Sequence, residues 1–463
     1  MNGEKKRQLI IAIAAFALFN FIFLCSEYLF DNVMMKVTSK QGVVNAQNVI
    51  LGASVIGFIL YSRLDDMLRE GRLYVFAFLF VLVVSGNFFV MIISQHFVWI
   101  LSAGIIAFLL LGITGSAVCY ELSVICKNTK RLAVYIGIAY AGGIFLQFMN
   151  NNYLNDNKTE AVTLSISLIF FVLLLLSLKR QRMNLTENTV SKAEENPIVR
   201  QMGWIFIFCV ALMACISSVL DCAVTLVHAS GDFDIGQWPR LILACSGLLA
   251  GVLYDLCGRK YMHLIMYFMV MLSTISIIII QLGGSFVLGL IVFYMSAGFF
   301  VVYFISGFII LSYEMENKKL WAGLGRAVNN LAACVISVWS VKMLSDGNGM
   351  LILISAVILF ACINVLLLLY LNKNRQLKDR SDSNVRDENA LFEIFANQFQ
   401  LTKREQEVLQ QLICSDDNIQ DLASTLFISR AALYRHISSL NEKTNTKSRI
   451  GLIQFYYNWI REN

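Results

Sequence analysis

The chain has 463 residues, with 37 Lys+Arg against 31 Asp+Glu and a net charge of +6. Its hydrophobic fraction is 57% and its charged fraction 15%, where ordinary soluble domains run at about 45–50% and about 25%. With a mean hydropathy of +0.66, this excludes a simple cytosolic enzyme, a disordered chain and a secreted disulfide scaffold. A polytopic membrane protein with room for a soluble attachment remains. The eleven cysteines are scattered without CxxC spacing, most of them in apolar runs where a free Cys behaves as a small hydrophobe. No metal, redox or other cofactor is expected.

A spanning helix needs about 20 mostly apolar residues. Runs of that kind predict spans at 9–30, 43–62, 73–93, 97–121, 132–150, 160–178, 202–227, 238–256, 261–281, 285–313, 320–344 and 349–371. The first is too long for a cleaved leader and has no small-residue cleavage site after it, so it reads as a true span. Basic residues recur in alternate connections: Lys5, Lys6 and Arg7, then Arg63, Arg69 and Arg72, then Lys127, Lys130 and Arg131, and on to Lys373 and Arg375 after the last span. The intervening connections carry only Lys36, Lys40, Lys158 and Arg240. The positive-inside rule then predicts an inner-membrane protein with both termini cytoplasmic. Of the two prolines, Pro197 is expected in the central loop and Pro239 at the start of span eight.

The two six-span halves, about 9–178 and 202–371, repeat one another. Gly251-Val252-Leu253-Tyr254-Asp255-Leu256-Cys257-Gly258-Arg259-Lys260 joins spans eight and nine, and Leu64-Asp65-Asp66 followed by Gly71-Arg72 holds the matching place between spans two and three. Tyr120-Glu121 closes span four as Tyr313-Glu314 closes span ten, and Glu27 in span one has Asp221 as its counterpart in span seven. Equal offsets of this kind mark duplicated halves. The decapeptide resembles the loop motif G-x-L-x-D-x-x-G-R-[KR] of the major facilitator superfamily, although Ser62 stands where the first half should have glycine. The resemblance covers residues 9–371. It implies a salt-bridge network latching the cytoplasmic helix ends, with Glu121, Asp255, Arg259 and Glu314 as members.

An ionisable group inside a span is a functional candidate. Glu27 and Asp221 are the candidates for ligand or proton sensing, set against solvated helix ends, since both lie toward the outer ends of their spans. His228 and Asp232 are expected just outside the membrane. Trp99, Trp238 and Trp339, near span ends, read as interfacial anchors.

After Leu371 the composition changes. Residues 372–390 are polar with mixed charge and read as a linker with a helical start; residues 391–463 regain amphipathic periodicity as a small soluble domain. Four short helices are predicted there. Thr402 to Glu405 form a capping box before a helix carrying Val408, Leu409 and Leu412. Asp417 caps a second helix with Leu422, Ala423 and Leu426 inward. Ser429 caps a third with Leu433, Ile437 and Leu440 inward. Thr446 opens a fourth with Ile450, Ile453 and Phe455 among its apolar residues. Helices two and three, joined at Phe427-Ile428, form a helix-turn-helix, whose second helix enters the major groove.

Leu401-Thr402-Lys403-Arg404-Glu405-Gln406-Glu407-Val408-Leu409 resembles the opening of LuxR/NarL-type DNA-binding domains. Asp421-Leu422-Ala423, Leu426-Phe427-Ile428-Ser429, His436-Ile437 and Lys443 with Thr446-Lys447-Ser448-Arg449 continue the pattern at the family's spacing. The departures are Asp416 at a usual glycine, Ala432-Leu433-Tyr434 in the recognition helix and Thr444 at a core leucine. The resemblance implies contact with double-stranded DNA through Lys403, Arg404, Ser429, Arg430, Tyr434, Arg435, His436, Lys443, Lys447 and Arg449, and a homodimer on DNA.

The expected chain is therefore all-α: a twelve-helix transmembrane bundle of two six-helix repeats (1–371), a linker (372–390) and a four-helix helix-turn-helix domain (391–463). The function it predicts is a membrane-anchored bacterial transcription regulator, set in the lipid bilayer and answering to a small-molecule signal. A secondary transporter that carries a regulatory domain is the alternative. An enzyme finds no support: four histidines form no Ser/His/Asp, Cys/His or metal pattern.

Overall fold

The computed structural model describes residues 3–462, apart from 68–69, 128, 155, 186–196, 230–236, 259–260, 282, 346–348 and 415–417. The described residues are almost wholly helical and contain no strand. The chain divides into two compact units, Met1–Lys373 and Asn374–Asn463.

The first unit is built from α1 (Gly3–Met34), α2 (Lys40–Met67), α3 (Glu70–Ile93), α4 (Phe97–Cys126), α5 (Leu132–Tyr153), α6 (Asn157–Leu185), α7 (Pro197–Ala229), α8 (Pro239–Leu256), α9 (Met262–Gln281), α10 (Phe286–Ser312), α11 (Lys318–Ser345) and the start of α12 (Gly349–Gln398). Eleven of them are long and apolar enough to cross a membrane. The predicted span 320–344, which forms α11, falls outside that group. It is long enough, but Arg326, Asn329, Asn330 and Lys342 lower its hydropathy. Two of its polar side chains bond to the first half: Arg326 donates to Asn20 Oδ1 at 2.8 Å and Asn330 donates to Ser54 Oγ at 2.9 Å. Burial in protein, rather than hydropathy, places this helix.

Helices α3, α6 and α12 are peripheral. Only 22% of the apolar window of α12 is buried, against 72% for α10. The two halves meet where α2 packs on α11 and α5 packs on α8. At the second seam the backbones touch: a Cβ on Gly251 would stand 2.5 Å from the Ala133 carbonyl oxygen, and one on Gly137 would stand 2.7 Å from that of Gly247. Only glycine permits that approach. Pro239 occupies the first turn of α8, as expected, whereas Pro197 opens α7 and does not sit in a loop. In both places its missing N–H costs nothing, because the first helical amides have no partner within the helix.

Charged side chains tie the helix ends on the side of the basic connections. Asp65 (α2), 8% exposed, meets Lys179 at 2.6 Å, Lys319 at 2.6 Å and Arg182 at 3.3 Å. Glu121 meets Arg182 Nε at 3.1 Å. Across the other seam, Asp255 Oδ2 accepts from the Val134 amide at 2.8 Å. It supplies an acceptor to the first turn of α5, whose own N-cap residue, Arg131, makes no side-chain cap. The expected latch is thus partly redistributed. Glu121 pairs with Arg182, alongside Asp65 and Lys319, while Asp255 bonds the α5 backbone. Glu314 is exposed in the turn after α10 and makes no ion pair among the described residues. Arg259 lies outside the described residues, as do Asp232, Asp416 and Asp417. Gly258, at φ +83°, ends the segment after α8 in the left-handed region that glycine tolerates.

The second unit holds the end of α12, then α13 (Lys403–Cys414), α14 (Ile419–Thr425), α15 (Arg430–Lys443) and α16 (Arg449–Glu462). Residues 372–390, expected as a linker, are helical within α12; the segment contains neither glycine nor proline. Phe395 and Ala396 from α12 join Val408, Leu409, Leu422, Leu433, Leu440, Leu452 and Trp459 in one core. In α16 the inward residues are Leu452, Tyr456 and Trp459, while Ile450, one of its apolar residues, is 68% exposed.

The carboxylate of Asp65, unlike that of its neighbour, is surrounded by cations and shielded from water: side-chain exposure is 3% for Asp65 and 72% for Asp66. Asp65→Asn should lower the stability of the detergent-solubilised chain by about 3–5 kcal/mol, because it strands buried positive charge. Asp66→Asn should cost about 1 kcal/mol or less. Thermal unfolding of the two variants checks the contrast.

Candidate nucleic-acid interface and a charged cavity

The helix-turn-helix is α14 and α15. Asn418, one residue after the expected Asp417, caps α14, its side-chain oxygen accepting from the amides of Gln420 and Asp421 at 2.9 and 3.0 Å. Ser429 caps α15, accepting from Ala432 N at 3.2 Å, as expected. Between them Phe427 adopts φ +55° and is 95% exposed, an unusual conformation for a non-glycine residue.

Leu433, Ile437 and Leu440 anchor α15 inward. The opposite face exposes Arg430, Ala431, Tyr434, Arg435 and Ser438, a stripe with helical spacing. Lys447 and Lys403 are exposed on the flanks; His436 and Arg449 are half-buried.

Two of the predicted DNA-contacting cations are engaged within the fold. Lys443 Nζ donates to Glu405 Oε2 at 2.7 Å and to the Gln400 carbonyl at 2.8 Å. Arg404 donates to the Leu426 carbonyl at 2.7 Å and pairs with Glu407. Both tie α13 to the helix-turn-helix. The capping box is present: Glu405 Oε2 accepts from the Thr402 amide at 2.7 Å, and Thr402 Oγ1 accepts from the Glu405 amide at 3.4 Å. Glu405 Oε1 also accepts from Ser439 at 2.6 Å. Burial alone would raise this carboxyl, but the Lys443 ammonium, the Ser439 hydroxyl and the Thr402 groups overcome it and hold the pKa down to about 2. Thr444, at the position of a usual leucine, is buried with its hydroxyl donating to the Leu440 carbonyl at 2.7 Å.

In the membrane unit, Glu27 and Asp221 come together as the repeat predicts, lining one cavity of about 170 Å³ between the halves. Asp31, Arg240 and Arg326 line it too. Sequence reasoning misses these three. Arg240 reads as a connection residue, but it lies in the first turn of α8; Arg326 is a charge inside a predicted span, which is itself a signal. His228, expected outside the membrane, is buried at the end of α7 with its ring 5.5 Å from that of Tyr28.

Residues 399–456 match the family model of the bacterial regulatory proteins of the luxR family. They are a luxR-family helix-turn-helix domain. The fold of the long helical unit is similar to that of the human organic anion transporter MFSD10 (TETRAN), at 16% identity and a TM-score of 0.53, over 80% of this chain and 100% of that one. It is also similar to an auto-inhibited POT-family peptide transporter, at 12% identity and a TM-score of 0.51, over 80% of this chain and 97% of that one. At these identities the likeness shows the fold alone. No curated protein sequence matches the chain. The chain therefore joins a luxR-type DNA-binding domain to a membrane domain of transporter-like fold.

The depressed pKa of Glu405 makes this domain acid-sensitive. Its stabilising contribution is complete above the ordinary value of 4.5 and is lost as pH falls from there through about 2. Urea unfolding of residues 391–463 should show that loss of stability on acidification. Glu405→Gln should be less stable at neutral pH and should flatten the acid dependence, whereas Arg435→Ala should leave both unchanged.

Proposed function

We propose that this chain is a membrane-anchored bacterial transcription regulator: the bundle senses a small molecule, and the luxR-type domain binds promoter DNA. The observation that carries the reading is the exposed stripe on α15, where Arg430, Tyr434 and Arg435 stand outward from a recognition helix whose inner face is locked in the core. Major-groove readout needs such side chains on a rigid helix. Lys403 and Lys447, exposed beside it, serve as phosphate contacts, which give affinity without sequence information. Arg404 and Lys443 act instead as structural ties that hold the reading head together.

The basic connections, on the positive-inside rule, put this domain on the cytoplasmic side of the inner membrane, where the DNA is. A homodimer on a two-fold operator is the assembly that such a module uses. The bundle biases two conformations, and the signal alters the exposure or pairing of the DNA-binding domains. No catalytic step is assigned to any residue. A secondary transporter with a regulatory domain is the second reading, favoured by the cavity and by the likeness to two transporters.

The test is binding of the full chain, in nanodiscs, to promoter DNA from its own locus. Arg435→Ala should cost about 1–3 kcal/mol and relax specificity, and Lys447→Ala should weaken all sequences alike and lower the salt slope by about 1. Folded protein that binds no DNA at low salt overturns the regulator reading. Solute uptake into proteoliposomes, undetectable on the sensor reading, supports the transporter.

A further inference from the structure

If the bundle senses a small molecule, as proposed, the charges of the cavity between the halves define what it takes. Three carboxylates (Glu27, Asp31 and Asp221) and two guanidinium groups (Arg240 and Arg326) line it. Charges within a membrane bundle ordinarily neutralise one another. Among the described residues none of these five joins an ion pair.

The hydrogen bonds and ring contacts described for Glu27, Arg326 and Arg240 are to neutral groups. Gln47 donates to Glu27 at 2.8 Å. Arg326, 7% exposed, donates to Asn20 and lies 5.7 Å from the centre of the Phe23 ring. Arg240 stands 5.9 Å from the centre of the Tyr294 ring, and its Nε has no hydrogen-bond partner among the described residues. Asp31 is 4% exposed, and its Oδ1 likewise has none. Asp31 and Arg326 are buried, Glu27 and Arg240 half-buried and Asp221 exposed; a buried charge without its complement is costly, so both signs held apart around one space await a ligand that carries both.

We propose that the cavity binds a small amine–carboxylate zwitterion of amino-acid size. Its ammonium faces Glu27, Asp31 and Asp221, and its carboxylate meets Arg240 and Arg326, the residues best suited to bidentate recognition of an acid. The cavity, of about 170 Å³, holds several waters and has room for a molecule of that size. A lone cation would leave the guanidiniums unanswered, and a lone anion would leave the carboxylates so. A metal ion is the poorer fit. Among the described residues no three acids, histidines or cysteines converge closely enough to hold one.

The experiment uses the full chain in nanodiscs, with thermal stability measured in each of the twenty standard L-amino acids at about 10 mM, roughly a hundredfold above a ~0.1 mM dissociation constant. The strongest stabiliser is then compared with its decarboxylated amine and its deaminated acid. The zwitterion should bind about tenfold or more tightly than either half, and Glu27→Gln and Arg326→Gln should each weaken it by about tenfold or more. Should Arg326→Gln fail to fold, Arg240→Gln provides the same readout. No stabilisation by any amino acid, a half-ligand that binds as tightly as the whole, or folded variants with unchanged affinity would overturn the proposal. Operator affinity measured in the same samples separates it from the regulator reading. A zwitterion that binds without changing DNA affinity supports the site and removes the sensing role; DNA affinity that answers only to the amine or the acid overturns the site and keeps the sensing role.

Discussion

Five ionisable side chains around one small cavity, held apart inside a helical bundle, set the terms for the rest of this molecule. Glu27, Asp31 and Asp221 on one side of the charge balance and Arg240 and Arg326 on the other line a shared space, in surroundings where each unpaired charge is costly. The bundle tolerates them because the structure around them is over-determined. Asn20 and Gln47 supply hydrogen bonds to the cavity residues. Glycines at 137, 247 and 251 let α5 and α8 touch backbone to backbone. At the end bearing the basic connections, Asp65 gathers Lys179, Arg182 and Lys319, while Asp255 caps α5. Of these, Asp65–Lys319 and Asp255–Val134 cross from one half to the other, one at each seam, so any change in the angle between the halves must break or remake them.

The same logic shapes the small domain, with a different outcome. There the buried carboxylate, Glu405, is fully answered: an ammonium, a hydroxyl and a backbone amide converge on it. Lys443 and Arg404 are thereby drawn into the scaffold, and the cations left on the recognition face are Arg430 and Arg435. One unit thus satisfies its buried charge and presents a finished binding surface, while the other pairs Asp65 and Glu121 at its helix ends and leaves the charges of its cavity without ion pairs among the described residues.

Much of this is legible in the sequence, for identifiable reasons. Hydropathy and the duplicated loop motif mark the halves, and the repeat makes Glu27 and Asp221 counterparts, which the structure brings to one cavity. Capping residues locate α13 and α15, since a Thr402–Glu405 box and a Ser429 cap are local signals that packing seldom overrides. Longer-range facts are not legible. That Arg404 and Lys443 face inward depends on the approach of Gln400, Glu405 and Leu426, which no spacing announces. Span eleven shows the limit of hydropathy itself: α11 is polar enough to escape a composition rule, and two of its polar side chains bond to α1 and α2. The polar composition of 372–390 suggests a linker, but a stretch without glycine or proline has no local reason to stop being helical, and it continues α12.

On the proposed reading, a signal taken up by the charged cavity changes what the DNA-binding domain does. The most direct measurement is occupancy of the target promoter in cells by the full chain and by a Glu27→Gln/Asp221→Asn variant, with membrane abundance held equal. The variant is expected to lock occupancy in one state, insensitive to growth conditions that shift the wild type, while residues 391–463 of both bind DNA alike. Occupancy that tracks the wild type under every condition would contradict it.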